Sequence, residues 1–319
     1  MDRGRLPNAY LFVGPAHVGK MTLAVDLARA LNCEAEEKPC GKCTACRKIA
    51  AGKHADVQVI SLATGNIKDA RVKEISIDRV RDMQHSANLP PYEGRFKVFI
   101  IDGAESLSIE AANCLLKTLE EPAEKVLFIL LAVNDSLLPA TVHSRCQRLE
   151  LKPLPAEEIE KNLLAMPGME PDRAKLLSRL SHGCPGWAIA AAEDDFIIEE
   201  HDEKIEKIIE VINSGINTRF EYAAQLAAQF SQSRQAVYDE LSLWMDWWHD
   251  ILLVKAGSTD RVTGINMMEK LNDLSRKYDI MQIRIFIKRL QDAMLQLKYN
   301  ASPRLVLDVL MLNIPGRSK

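Results

Sequence analysis

Five apolar residues, Ala9-Tyr10-Leu11-Phe12-Val13, run directly into Gly14-Pro15-Ala16-His17-Val18-Gly19-Lys20. A helical stretch follows, with Leu23, Leu27 and Leu31 at spacing four as its expected core-facing row. A buried strand, a glycine-bracketed loop and a helix in immediate succession restrict the fold severely. Gly14 and Gly19 let backbone N–H groups turn toward an anion at a helix N-terminus. Lys20 sets a positive charge beside it, completing the spacing of a phosphate-binding loop. The unit predicts an α/β domain opening on its first strand.

The chain beyond supports that class. Strands are expected in residues 55–62 and 97–101, the latter ending on Asp102, and in 126–133, which is apolar on both faces. A helix is expected from about Ser108 to the residues before Pro122, with Ile109, Ala112, Leu116 and Leu119 facing the core. Continuous apolar strands alternating with helices point to a parallel sheet covered on both sides. The pattern changes near Lys152-Pro153-Leu154-Pro155, after which only helical periodicity is found. The expected division is an α/β domain over 1–152, a small helical segment over 153–205 and a helical domain over 206–319. In the last, Trp244, Trp247, Trp248, Ile251 and Leu252 recur at helical spacing and read as a core stripe rather than a base-stacking site.

The phosphate loop is damaged. Its pattern wants Ser or Thr after the lysine, to ligate Mg²⁺, and finds Met21, whose thioether suits a hard cation poorly. Thr22 lies one position on, turned about 100° around the helix. The strand that ends in Asp102 continues with Gly103, where a working ATPase places a glutamate to aim the attacking water. Hydrolysis is therefore not expected. Whether the loop still holds nucleotide or survives only as a shape stays open at this stage.

Cys33, Cys40, Cys43 and Cys46 give C-x6-C-x2-C-x2-C. Four thiolates on short turns suit one tetrahedral, closed, structural zinc ion, the alternative being a redox pair or a chance cysteine-rich loop. Cys114, Cys146 and Cys184 stand apart and read as packing or motif residues, not ligands. With no secretory signal expected in the first residues and no apolar run long enough to span a bilayer, a reducing cytoplasm and no membrane are expected. The net charge of −3 lacks the basic excess of a protein that grips DNA unaided.

The segment after the fourth strand carries a resemblance. Asn134 closes that strand, Ser144-Arg145-Cys146 follows, and Lys117-Thr118-Leu119-Glu120-Glu121-Pro122 precedes it. With the cysteine cluster between first helix and second strand, these motifs resemble the clamp-loader branch of the AAA+ ATPases. The damaged loop, Gly103 and the stretches 75–83 and 93–105 look like delta-prime-type subunits of the bacterial DNA polymerase III clamp loader. The likeness covers residues 5–190. It implies an AAA+ P-loop domain with a zinc-binding insertion (33–46), a helical lid and an all-α C-terminal collar domain for oligomerisation. Gly14, Gly19, Lys20 and Thr22 correspond to the phosphate loop, Asp102 to the acid after the third strand, and Asn134 to the sensor-1 polar residue. Arg145 corresponds to an arginine finger lent to a neighbouring subunit, its bland alternative being an ion-paired surface arginine.

Departures from that pattern are Asn8 in place of histidine, His17 where glycine is frequent, and the loss near Gly186 or Trp187 of a sensor-2 arginine. The chain also begins only a few residues before its first strand, so a preceding adenine-pocket segment is expected to be short or absent. His54 and Asp56 read as structural. The resemblance implies gamma/tau motor subunits and a delta subunit as partners, with the sliding clamp and primed DNA reached through the assembly. It implies structural Zn²⁺, doubtful ATP or ADP, and no Mg²⁺. The family name attaches the chain to a DNA-directed DNA polymerase, although it brings no polymerase site. The competing expectation is an active gamma/tau-like motor ATPase.

Overall fold

The computed structural model describes residues 6–62, 74–135, 138–299 and 301–316; the segment expected to be short ahead of the first strand lies largely outside them. The chain divides into two compact units, one of residues 1–154 with 184–186, the other of 155–183 with 187–319.

The first unit is built on five parallel strands: β1 (Ala9–Val13), β2 (Val57–Ile60), β3 (Lys97–Asp102), β4 (Val126–Ala132) and β5 (Gln147–Glu150), in the order β2-β3-β4-β1-β5. The period of two sorts each central strand between two cores. Phe99 and Ile101 of β3 join Phe128 and Leu130 of β4 on one face, under α3 (Ile77–Ala87) and α4 (Ile109–Glu120). Val98 and Ile100 join Leu127, Ile129 and Leu131 on the other, under α1 (Lys20–Asn32) and α2 (Thr44–Ala50). Every residue of β4 is buried, as a strand covered on both faces requires. A one-turn helix, α5 (Ala140–His143), precedes β5.

Two helix faces differ from expectation by a small rotation. Helix α1 buries Ala24 and Ala28, whereas Leu23 is 40% exposed and Leu27 and Leu31 are half-buried. Small side chains let the helix approach the sheet closely, and the leucines flank that contact line. In α4 the buried positions are Ala111, Ala112, Leu115 and Leu119, while Ile109, in the first turn, is 75% exposed. Ser108 caps this helix as expected, its hydroxyl accepting from the Ala111 N–H at 3.1 Å.

The second unit contains no strand among the described residues. Its first core joins α6 (Ala156–Leu164), α7 (Pro171–Leu180) and α8 (Pro185–Glu193) through Ile159, Leu163, Leu177 and Ala188. The larger core draws on α9 (Phe196–Asn213), α10 (Ile216–Gln232), α11 (Arg234–Lys255), α12 (Met268–Lys277), α13 (Ile280–Lys298) and α14 (Pro303–Leu312). The tryptophan stripe is this core: Trp248 lies 4.7 Å, ring to ring, from Phe286, and Trp244 donates its indole N–H to the buried Tyr222 hydroxyl at 2.9 Å. Tyr222 in turn donates its hydroxyl to Glu240 at 2.6 Å, whereas the indole N–H groups of Trp247 and Trp248 are buried without a hydrogen-bond partner.

Candidate functional site

The two loop glycines are needed for different reasons. A Cβ on Gly14 would fall 2.4 Å from the Leu151 carbonyl oxygen, so close backbone approach forces glycine there. Gly19, with open space around it, has φ +105°, a conformation that a side chain resists. His17 sits at φ +60°, the left-handed region that glycine fills without strain. Its carbonyl accepts from the Gly186 N–H at 2.9 Å, and a Cβ on Gly186 would lie 2.8 Å from that oxygen.

Lys20 is almost fully buried, and its ammonium donates to the carbonyls of Gly14 at 2.6 Å and Pro15 at 2.7 Å. Burial lowers its pKa, opposed by the charges of Glu105 and Asp102. The loop thus turns carbonyl oxygens toward the lysine that would otherwise face phosphate. Met21 packs, half-buried, against the core beneath α1, while Thr22 is exposed. Asp102 ends β3, half-buried, opposite Leu131. Gly103 follows at φ +72° and opens a 3₁₀ turn over Ala104–Ser106. This gives a backbone reason for glycine where a catalytic glutamate would stand.

Sequence reading missed Glu105. Its Oε1 accepts from the Val133 N–H at 3.0 Å, and its Oε2 is buried without a hydrogen-bond partner. It tethers the end of β4 to the turn after β3 and contributes negative charge near Lys20. An acidic residue two positions past Gly103 was its available signal. Asn134, beyond β4, is exposed. The next residue, Asp135, holds the segment down: its carboxylate accepts from Arg148 Nε at 2.6 Å and its carbonyl meets His143 Nε2 at 2.6 Å.

The four cysteines converge. Their Sγ atoms all lie within 4.8 Å of one another, with Cys33 and Cys43 at 4.0 Å. A tetrahedral zinc ion with bonds of about 2.3 Å separates its sulfurs by roughly 3.8 Å, so the set fits. Cys33 ends α1 and Cys43 caps α2, which bring two ligand pairs together; Gly41, at φ +71°, turns the chain between them. Backbone N–H groups support the sulfurs: Cys40 donates to Cys33 at 3.5 Å, Cys43 to Cys40 at 3.3 Å and Cys46 to Cys43 at 3.4 Å. Donation from the backbone at Glu34 and Cys46 draws the Cys43 thiol down to about 6, whereas burial pushes Cys46 up to about 11.

Arg145 follows the short α5. Its Nε donates to Glu120 Oε1 at 2.7 Å and its Nη2 shares the same oxygen; Nη1 donates to the Thr141 carbonyl at 2.7 Å and to Ser144 Oγ at 3.2 Å. The side chain is 26% exposed. His54 and Asp56 are structural, as expected. Asp56, buried, accepts from the backbone N–H groups of Tyr92, Glu93 and Gly94 at 2.7–2.8 Å, and the His54 ring accepts from the Asp56 N–H at 3.1 Å.

A strand, phosphate loop and helix on a five-stranded parallel sheet, followed by helical segments, define a P-loop protein of AAA+ type. Its sequence is similar to subunits of DNA polymerase III over most of its length. A family model described as "DNA polymerase III, delta subunit" matches residues 1–155. DNA polymerase III subunit delta' of Pseudomonas aeruginosa is 29% identical over 329 aligned residues, covering 98% of this chain and 94% of that one. Subunit delta' of Bacillus subtilis is 27% identical over 263, covering 82% and 77%. DNA polymerase III subunit tau of Escherichia coli is 38% identical over 190, which is 57% of this chain but only 28% of tau. The chain thus spans little more than a quarter of that longer relative.

Proposed function

We propose that this chain is a delta-prime-like, non-hydrolysing subunit of a cytoplasmic clamp loader, which helps to place the sliding clamp on primed DNA. One observation carries the reading: Met21 packs on the sheet where a magnesium-binding hydroxyl should stand, and Gly103 holds a left-handed turn where the water-aiming glutamate should stand. A site lacking both oxygens has lost the metal ligand and the positioned base, and the base alone is worth about two to four orders of magnitude. The near full-length similarity to a delta' subunit agrees with it.

In this reading Gly14, Gly19, Lys20, Thr22, Asp102 and Asn134 are the remnant of a nucleotide site. The four cysteines hold structural zinc. Residues 153–205 serve as the lid and 206–319 as the collar that joins gamma/tau and delta subunits. No helix among the described residues is long and apolar enough to cross a membrane. Arg145 reaches the ATP site of an adjacent motor subunit, where an always-charged guanidinium meets the charge developing on the transferred phosphoryl group.

The second reading, an active motor, is favoured by the 38% identity to tau over the N-terminal part. Two measurements decide. ATP turnover by the purified chain at a motor-like rate overturns the first reading. Arg145→Ala in a reconstituted loader is expected to lower clamp-stimulated ATP hydrolysis severalfold, and unchanged hydrolysis overturns the finger assignment.

A further inference from the structure

We propose that Glu120 is the positioning residue for Arg145, an inference resting on the finger role given above. An arginine offered to a neighbour must be held at the surface in one orientation, because a long flexible side chain otherwise loses its advantage to entropy. Here one carboxylate oxygen receives both Nε and Nη2, while the Thr141 carbonyl and the Ser144 hydroxyl take Nη1. The planar guanidinium is thus fixed by contacts on three of its nitrogens.

The elements supplying those contacts differ in rigidity. Glu120 is the last residue of α4, a helix anchored by Leu115 and Leu119 in the core. Thr141 belongs to α5, a single turn, and Ser144 is the residue that ends it. The carboxylate therefore ties the finger to a three-turn helix rather than to its own short turn alone. As a surface ion pair with both side chains partly exposed, the contact contributes little to stability. Orientation is the property it can supply. Hydrolysis in the neighbour adds water to the γ-phosphorus as the bond to the bridging oxygen breaks; Arg145 transfers no proton and Glu120 touches no reacting atom.

The test uses the whole reconstituted loader, with ATP turnover measured with clamp and primed DNA present. Glu120→Ala is expected to lower kcat about three- to tenfold with KM for ATP unchanged, as removal of an interaction made only in the transition state does. Glu120→Gln, which keeps an accepting oxygen at the same reach, should restore turnover to within about twofold of wild type. In an Arg145→Ala background, Glu120→Ala should cause no further loss. If Glu120→Ala does not assemble, Glu120→Asp carries the test, since it keeps the charge and shortens the reach: reduced kcat supports positioning and full kcat overturns it. Wild-type or faster turnover in Glu120→Ala also overturns it. Should Arg145→Ala itself leave turnover unchanged, the finger reading falls first, a result distinct from a failure of Glu120 alone.

Discussion

The Lys20 ammonium donates to the carbonyl oxygen of Gly14, six residues earlier, at 2.6 Å. A phosphate must displace that bond and its companion to Pro15 before it can use the charge. Added ATP at about 1 mM should therefore raise the melting temperature of the isolated chain by less than ~2 °C, since a ligand near its Kd contributes only about 0.4 kcal/mol. A shift of about 5 °C or more in a thermal melt would show that the loop retains real affinity.

A glutamate placed at position 103 should not confer ATP hydrolysis. Gly103→Glu places a side chain at φ +72°, at a cost of about 1–2 kcal/mol. The expected result is a lowered urea midpoint with no gain in ATP hydrolysis, alone or combined with Met21→Thr. A double variant that hydrolyses ATP at motor rates would contradict this backbone argument.

Elemental analysis of freshly purified, reduced protein should find about one zinc per chain, held by Cys33, Cys40, Cys43 and Cys46. Stripping it with a strong chelator, or Cys46→Ser, should lower the melting temperature by about 5 °C, the effect of roughly 3 kcal/mol in a chain of this size. Reduced protein that carries no metal, or melts identically after chelation, defeats the prediction.

Asp56→Ala should destabilise the protein by about 2–3 kcal/mol, because three backbone N–H donors lose their acceptor. Burial alone would raise the carboxyl pKa, but those donors and His54 outweigh it and hold it below the ordinary value. A depressed native pKa gives stability that is complete above the unfolded value near 4 and is lost as pH falls through the native one. Wild type should therefore lose more stability than Asp56→Asn on acidification below about pH 4. Parallel denaturation curves for the two across that window would show that Asp56 is not the group responsible.

Fold class was legible because it rested on elements with one interpretation: an apolar strand meeting a glycine loop, and a fourth strand apolar on both faces. Helix orientation was less so. Periodicity picks out the bulkiest apolar residues, Leu23 or Ile109, whereas contact with a sheet selects by fit, and Ala24, Ala28 and Leu115 take the inward places. The cysteine cluster could be read from spacing alone, since its ligands lie within fourteen residues. Glu105 and Glu120 could not: each acts on a partner twenty-five or more positions away, Val133 and Arg145, and such pairings depend on how α4 and β4 pack.

Asn32 accepts from the N–H groups of Arg95 and Phe96, joining the last turn of α1 to the residues just ahead of β3. Thirteen helical residues and six extended ones both measure about 20 Å. Two rods of equal length, pinned at one end, finish level at the other, and there Lys20 and Asp102 sense each other's charge. The separation of Lys20 from Asp102 is thus gauged from the opposite end of the sheet, by a contact that does not depend on what the loop holds.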